Sequence, residues 1–450
     1  MNPLTQYYRC PERFSRIIAH HDPSDTIKGY FRFGEEICFG KCRGGYPSRS
    51  SSAVLHDALA QVKVDRGVLD LPFDLTEVID GLRQERYMGL AGSNGSDLAS
   101  PVNRLYYLLR PFLPVAVRKH LQRMRLSDWK KLAFPTWPVD RTVDAILEKL
   151  LLLSLRAEAL DRIPFIWFWP EGAPSCAIIT HDVETTIGRD FCETLMDIDD
   201  TYGVKAAFQI VPEQRYEVTS SYLESITRRD FEVGVQDLNH DGRLYMNKEQ
   251  FRTRAAMINE YGRRWGARGF RAAILYRRQE WFDALDFDYE MSVPNVAHLD
   301  PQRGGCCTVM PYFVGKILEI PVTATQDYSL FHILKQHSIQ LWEQQIELIM
   351  KKNGLISFII HPDYIISRPE QETYEALLSH LSYLRQEKGL WITTPREVNR
   401  WWRQRAQMSL VETGNGWRIE GAGNERALIA YASEQDGHLK FTLEAGREVR

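Results

Sequence analysis

Several things are scarce in this chain, and each scarcity narrows its class. The seven cysteines make no framework: Cys38 and Cys42 are close, Cys306 and Cys307 are adjacent, and the others are scattered. A zinc knuckle needs a second pair at ligand spacing, so reduced thiols in a cytoplasm are the simpler account. Charge of either sign is not in excess. A net charge of −3 argues against global attraction to nucleic acid. Long apolar runs are missing too. "AILEKLLLLSLRAEAL" (145–160) comes closest to a membrane span, and Glu148, Lys149, Arg156 and Glu158 interrupt it. The start, "MNPLTQYYRCPERFSRII", has no secretory pattern, and there is no repeat or low-complexity tract. A cytoplasmic location is expected.

At 450 residues the chain is long enough for two or three domains, and eleven Trp promise large buried anchors. Three regions differ in texture. Residues 1–165 read as a mostly helical N-terminal region of unknown role. They include a loop-like stretch at 91–100 and two helical patterns: 102–126, broken by Pro111 and Pro114, and 139–162, starting near Asp140 or Asp144. The basic stretch 104–131 carries Arg104, Arg110, Arg118, Lys119, Arg123, Arg125, Lys130 and Lys131. It reads first as a solvated helix face, and second as a peripheral contact with an anionic membrane surface. In residues 166–405, apolar runs alternate with amphipathic helices: 176–180, 205–211, 231–235, 268–272, 289–293, 317–322, 355–360 and 390–394. That rhythm predicts an α/β fold, a parallel sheet curled into a closed or nearly closed (β/α) barrel. Residues 406–450 predict a small β-rich extension of two or three strands.

Barrel chemistry sits at the C-terminal ends of the strands, so the polar residues there matter most. "AIIT" runs into His181, Asp182 and Glu184; "FEVGV" into Gln236 and His240; "RGF" delivers Arg271; and "LISFII" delivers His361. Asp182 and Glu184 share one face of an extended segment, where like charges need a cation or an Arg between them. The competing reading makes the two acids N-terminal caps of the next helix. His240 and His361 each have an ordinary reading as hydrogen-bonded histidines, and Arg271 as a plain ion-pair partner. Together these groups aim at one rim.

In this order the residues resemble the NodB-like polysaccharide deacetylase family over roughly 166–405. "THDVE" (180–184) is similar to its first motif, "QDLNH" (236–240) to the segment carrying two metal-binding His, "GFRAA" (269–273) to its Arg motif, and "IIHPDY" (359–364) to the motif with the catalytic acid. "PFIWFWPEG", "GGCCTVMPY" and "QDYSLF" look like a bacterial subgroup linked to exopolysaccharide gene clusters. The resemblance implies a distorted (β/α) barrel of the polysaccharide deacetylase type. It also implies a metal-dependent hydrolase that removes acetyl from an N-acetylated sugar. Asp182 would be the base, His361 the acid, and Arg271 the residue that orients the base. Glu184, His240 and Gln236 would hold a divalent metal, usually zinc.

Three departures qualify it. Glu184 stands where Asp is usual, Ala273 replaces a proline, and Gln236 occupies the position of the first ligand His. A neutral amide oxygen is a weak zinc ligand, so Mn²⁺ or another oxygen-tolerant ion becomes the better guest, with Asp237 or Asp241 as substitute ligands. Tyr276, Trp281 and Tyr364 are candidate sugar-stacking rings. The implied partner is a carbohydrate, with no nucleic acid, and the oligomeric state is open. Two other readings stand beside the deacetylase: a metal-weakened pseudoenzyme that binds sugar or scaffolds polysaccharide assembly, and a hydrolase of a small non-sugar amide.

Overall fold

The computed structural model describes residues 2–19, 27–45, 47–89, 124, 126–414 and 416–444. The stretch 91–100 and, within 104–131, residues 104–123 and 125 lie outside these residues. Of the basic stretch only Lys130 and Lys131 belong to a described element, the 3₁₀ turn Trp129–Lys131. Among the described residues no helix is long and apolar enough to cross a membrane. All seven cysteines are buried and free of disulfides. The chain divides into two compact units.

One unit comprises 95–139 and 175–399. Its strands are β1 (Cys176–Val183), β2 (Ala207–Ile210), β3 (Glu232–Gln236), β4 (Gly269–Arg271), β5 (Tyr289–Glu290), β6 (Tyr312–Val314), β7 (Ile317–Glu319), β8 (Leu355–Ile360) and β9 (Trp391–Thr393). They form one sheet in the order β6-β7-β5-β4-β3-β2-β1-β8, with β9 also on β1. Every pairing is parallel except β6 with β7. Each of the eight predicted apolar runs overlaps one of these strands. β1 and β8 are buried at every residue, as expected of parallel strands covered on both faces.

The sheet is curled, and the segment after β7 reaches β8 through a few hydrogen bonds. Thr323 donates its hydroxyl to Leu355 O (2.7 Å) and accepts from Ser357 N (2.9 Å), while Ala324 N donates to Ser357 O at 3.2 Å. The result is a curled half-barrel sheet, consistent with the expected distorted (β/α) barrel, with Thr323 linking its segment to β8.

Local chemistry sets the helices. α1 (Thr186–Thr201) starts at Thr185, whose Oγ1 accepts from Gly188 N at 3.0 Å. α2 (Ser220–Thr227) is capped by Thr219. α3 (Lys248–Trp265) is capped by Asn247 and ends at Gly266, φ +65°, a left-handed position where glycine carries no steric cost. α4 (Gln340–Met350) and α5 (Arg368–Lys388) complete the outer layer, packing Trp342, Ile346, Tyr374, Leu377 and Leu381 into the main core.

The other unit gathers 1–94, 140–174 and 400–450. Its N-terminal part departs from the helical expectation. Among the described residues it holds, besides helices Pro3–Tyr8, Leu75–Arg83 and Thr142–Ala157, five short strands before residue 72. The clearest pair, Gly29–Phe33 with Glu36–Gly40, is a hairpin turned at Gly34 (φ +68°). The alternation in "YFRFGEEICF" encodes it. The described C-terminal strands are four, and one of them also pairs outside that segment: Ile429–Gln435 pairs with both His438–Leu443 and Arg162–Ile166. Arg405, completely buried in this unit, donates to Trp167 O (2.9 Å), Ile166 O (2.7 Å) and Tyr7 O (2.9 Å). One side chain thereby ties three distant segments together.

Candidate functional site

The strand ends converge as the barrel geometry requires. Asp182, next to last in β1, faces inward and is 3% exposed; His181 faces the opposite way. His181 Nε2 lies 2.9 Å from Asp199 Oδ2, and Asp199 Oδ1 accepts the Tyr374 hydroxyl at 2.6 Å. His181 is therefore a satisfied core histidine and not a third rim imidazole. The capping reading of Asp182 and Glu184 also fails, because Thr185 caps α1.

Arg271, at the end of β4 and completely buried, donates from Nη1 to Asp182 Oδ1 at 3.2 Å. Burial raises the Asp182 carboxyl above its ordinary range, and the Arg271 guanidinium opposes that rise. His361 follows β8. Its Nδ1 stands 2.7 Å from Asp327 Oδ1, and its backbone N–H donates to Asp327 Oδ2 at 2.6 Å. Burial works against a charged imidazole, but the Asp327 carboxylate outweighs it together with Glu184 and lifts His361 well above its usual pKa. The Tyr364 ring lies 4.6 Å from the His361 ring, and Tyr328 and His332 flank Tyr364. Of the three candidate stacking rings, Tyr364 is the one beside the site. Tyr276 and Trp281 pack in a hydrophobic cluster with Phe251 and Phe270.

Glu184 Oε1 is the meeting point of the other groups. Gln236 Nε2 donates to it at 3.1 Å and to Asp182 Oδ2, also at 3.1 Å. His240 Nε2 lies 2.7 Å away, off the line of a good hydrogen bond, and His361 Nε2 lies 3.5 Å away. Burial raises the Glu184 carboxyl, but the His240 and His361 imidazoles overturn that and hold it well below the ordinary range. Gln236 and His240 are brought together by the loop between them. The chain leaves β3 through Asp237 (φ +51°) and comes back at His240 (φ +56°), two left-handed residues that fold the loop over the rim.

Two residues outside the sequence-based set belong here. Asp327 holds His361 by both its ring and its backbone. Arg215 Nη2 lies 3.2 Å from His240 Nδ1 and donates to His240 O at 2.5 Å. A guanidinium only donates, so Nδ1 accepts, and a neutral ring then carries its proton on Nε2, toward Glu184. Asp327 lies within the quoted "QDYSLF" and an acid partner for a catalytic His could have been sought there; Arg215 had no comparable sequence signal. Asp241 is not a substitute ligand: it is held by both Nη atoms of Arg254 at 2.8 and 2.7 Å. Asp237 spends Oδ1 on Leu238 N at 2.6 Å.

Among the described residues, the ligand atoms of Asp182, Glu184 and His361 lie within 4.8 Å of one another, a spacing that can hold a metal ion. In donor chemistry the rim fits an oxygen-tolerant divalent cation. Gln236 Oε1 is buried without a partner, and a half-turn of the amide would exchange the donating Nε2 for that oxygen. His240 would have to shift its proton to Nδ1 and give up Arg215.

No family model matches the chain, and no curated protein is similar to it. Solved structures are similar over about half of it. A Mycobacterium smegmatis protein named as a polysaccharide deacetylase is 16% identical, with TM-score 0.43, over 53% of this chain and 93% of that one. A family 4 acetyl xylan esterase from Clostridium thermocellum, solved with a cobalt ion, is 16% identical, with TM-score 0.33, over 50% and 91%. A CE4 family pseudoenzyme from Bacillus anthracis is 14% identical, with TM-score 0.31, over 50% and 65%.

Proposed function

We propose that this chain is a NodB-like deacetylase that hydrolyses the N-acetyl group of a sugar or polysaccharide, with exopolysaccharide synthesis as its setting. The observation that carries the reading is the convergence of Asp182, Arg271 and His361, each with its own partner, on one buried rim. Glu184, His240 and Gln236 would hold a divalent cation, zinc or an oxygen-tolerant ion, which would supply Lewis acidity toward the acyl carbonyl. Asp182, kept oriented by Arg271, takes a proton from the attacking water. His361, charged because of Asp327, gives a proton to the departing amine. Tyr364 offers a ring face to the sugar beside His361.

The test is acetate release from N-acetylglucosamine oligomers with Zn²⁺ or Mn²⁺ supplied. Turnover that Asp182→Asn abolishes is the expected result. No turnover with any metal overturns the reading.

A specific contact favours a second reading, a sugar-binding pseudoenzyme. Gln236 Nε2 donates to both carboxylates and so does, as a neutral group, part of what a cation would do. Oligomer binding without metal uptake or acetate release is its expected signature.

A further inference from the structure

A second carboxyl pair lies outside the candidate site. Glu290 on β5 and Glu319 on β7 are direct register partners on adjacent parallel strands, and both are completely buried. Glu290 accepts the Ser292 N–H at 2.8 Å and also the Ser292 hydroxyl. Ser292 Oγ in turn accepts the N–H of Ala272, the residue after Arg271, at 2.7 Å. Glu319 Oε1 accepts the Val293 N–H at 3.1 Å, whereas Oε2 meets no N–H or O–H donor. Two adjacent ionised carboxylates repel each other and lose their hydration on burial. One proton on Glu319 turns that contact into a charge-assisted hydrogen bond to Glu290.

We propose that Glu290 and Glu319 work as one singly protonated unit whose hydrogen bonds through Ser292 to Ala272 position Arg271 against Asp182. The positioning half rests on the deacetylase reading for the role of Arg271; the shared proton does not. Burial and then the Glu290 charge raise Glu319 well above the carboxyl range. Burial also raises Glu290, with Glu319, Ser292 and Arg271 opposing. The other titratable or charged groups facing the pair are Arg271, Tyr245 and Cys306.

The sign of the pH effect follows. Between the ordinary glutamate value, about 4.3, and its raised native value, the native pair binds more protons than the unfolded chain, so stability falls as pH rises. Glu319→Gln supplies the donor permanently and removes that contribution. The experiment is thermal unfolding of wild type and Glu319→Gln from pH 5 to 9, together with kcat and KM for Glu290→Ala, Ser292→Ala and Glu319→Gln. Expected are a shallower pH dependence of Tm in Glu319→Gln, a fall in kcat of about 10–100-fold at little-changed KM in the two alanine variants, and near wild-type kcat in Glu319→Gln. Equal pH slopes for wild type and Glu319→Gln overturn the shared proton. Unchanged kcat in a folded Glu290→Ala overturns the positioning. If wild type shows no turnover, the deacetylase reading fails and the unfolding arm still decides the proton.

Discussion

The two flanks of the rim are built to different standards. On the acid–base flank each group has a charged partner that suits one role: Arg271 on Asp182, and Asp327 on both ring and backbone of His361. On the Glu184 flank the contacts compete. Gln236 divides its amide N–H groups between two carboxylates and leaves its oxygen unpaired, while Arg215 keeps His240 in the tautomer that points N–H at Glu184. On the proposed reading one flank serves proton transfer, and the other is held together by hydrogen bonds where a cation would need lone pairs. Acid–base geometry and metal affinity can, on that reading, part company within one site, because Arg271 and Asp327 bear on the first and Gln236 and His240 on the second.

The largest expected effect breaks the first flank. Asp182→Asn should lower kcat by about 10²–10⁴-fold while circular dichroism and Tm show a folded protein. If deacetylation persists at wild-type rate, that flank is not where protons move.

Next comes repair of the second flank. Gln236→His should tighten binding of Zn²⁺ by about 10–100-fold or more, read by equilibrium dialysis. Adding Arg215→Gln should tighten it again, since Nδ1 is then free to carry the proton. Equal affinity in all three proteins would make the contrast between flanks meaningless.

Asp327→Asn sharpens the comparison through pH. The His361 pKa is raised in the native state, so its pairing stabilises the fold fully below the unfolded value of about 6.5 and ceases to as pH rises through the native value. Removing the carboxylate should therefore lower Tm most at acid pH. It should also move the alkaline limb of the pH–rate profile to lower pH. A variant whose Tm loss is the same from pH 5 to 9 would deny the charged pair.

The smallest effect concerns the support under Glu184. Thr185→Ala removes the α1 cap and should cost about 1 kcal/mol in urea unfolding, with metal affinity little altered. A much larger loss of metal affinity than of stability would make Thr185 part of the site.

Much of the barrel was legible because parallel strands buried on both faces leave continuous apolar runs, and "CAIIT" and "LISFII" are such runs. The N-terminal hairpin was missed because short strands joined by a tight turn give only a few alternating residues. The rim groups could be named from strand-end position, but His181 could not be separated from Asp182. One residue of register sends their side chains to opposite faces, and only the strand pairing says which face is inside. Arg215 and Glu319 left no usable trace, since a lone Arg after a strand or a Glu inside one means nothing until its neighbours across the sheet are known.

By itself the sequence determined the alternation of strand and helix, and the residue types delivered to the strand ends, because burial periodicity and side-chain chemistry are local properties. Tertiary structure alone decided which of those groups meet: that Glu184 is shared by Gln236, His240 and His361, that Asp241 is committed to Arg254, and that Glu290 faces Glu319. Charge, protonation and tautomer depend on distances of a few ångströms between residues tens of positions apart, and only the folded chain sets those distances.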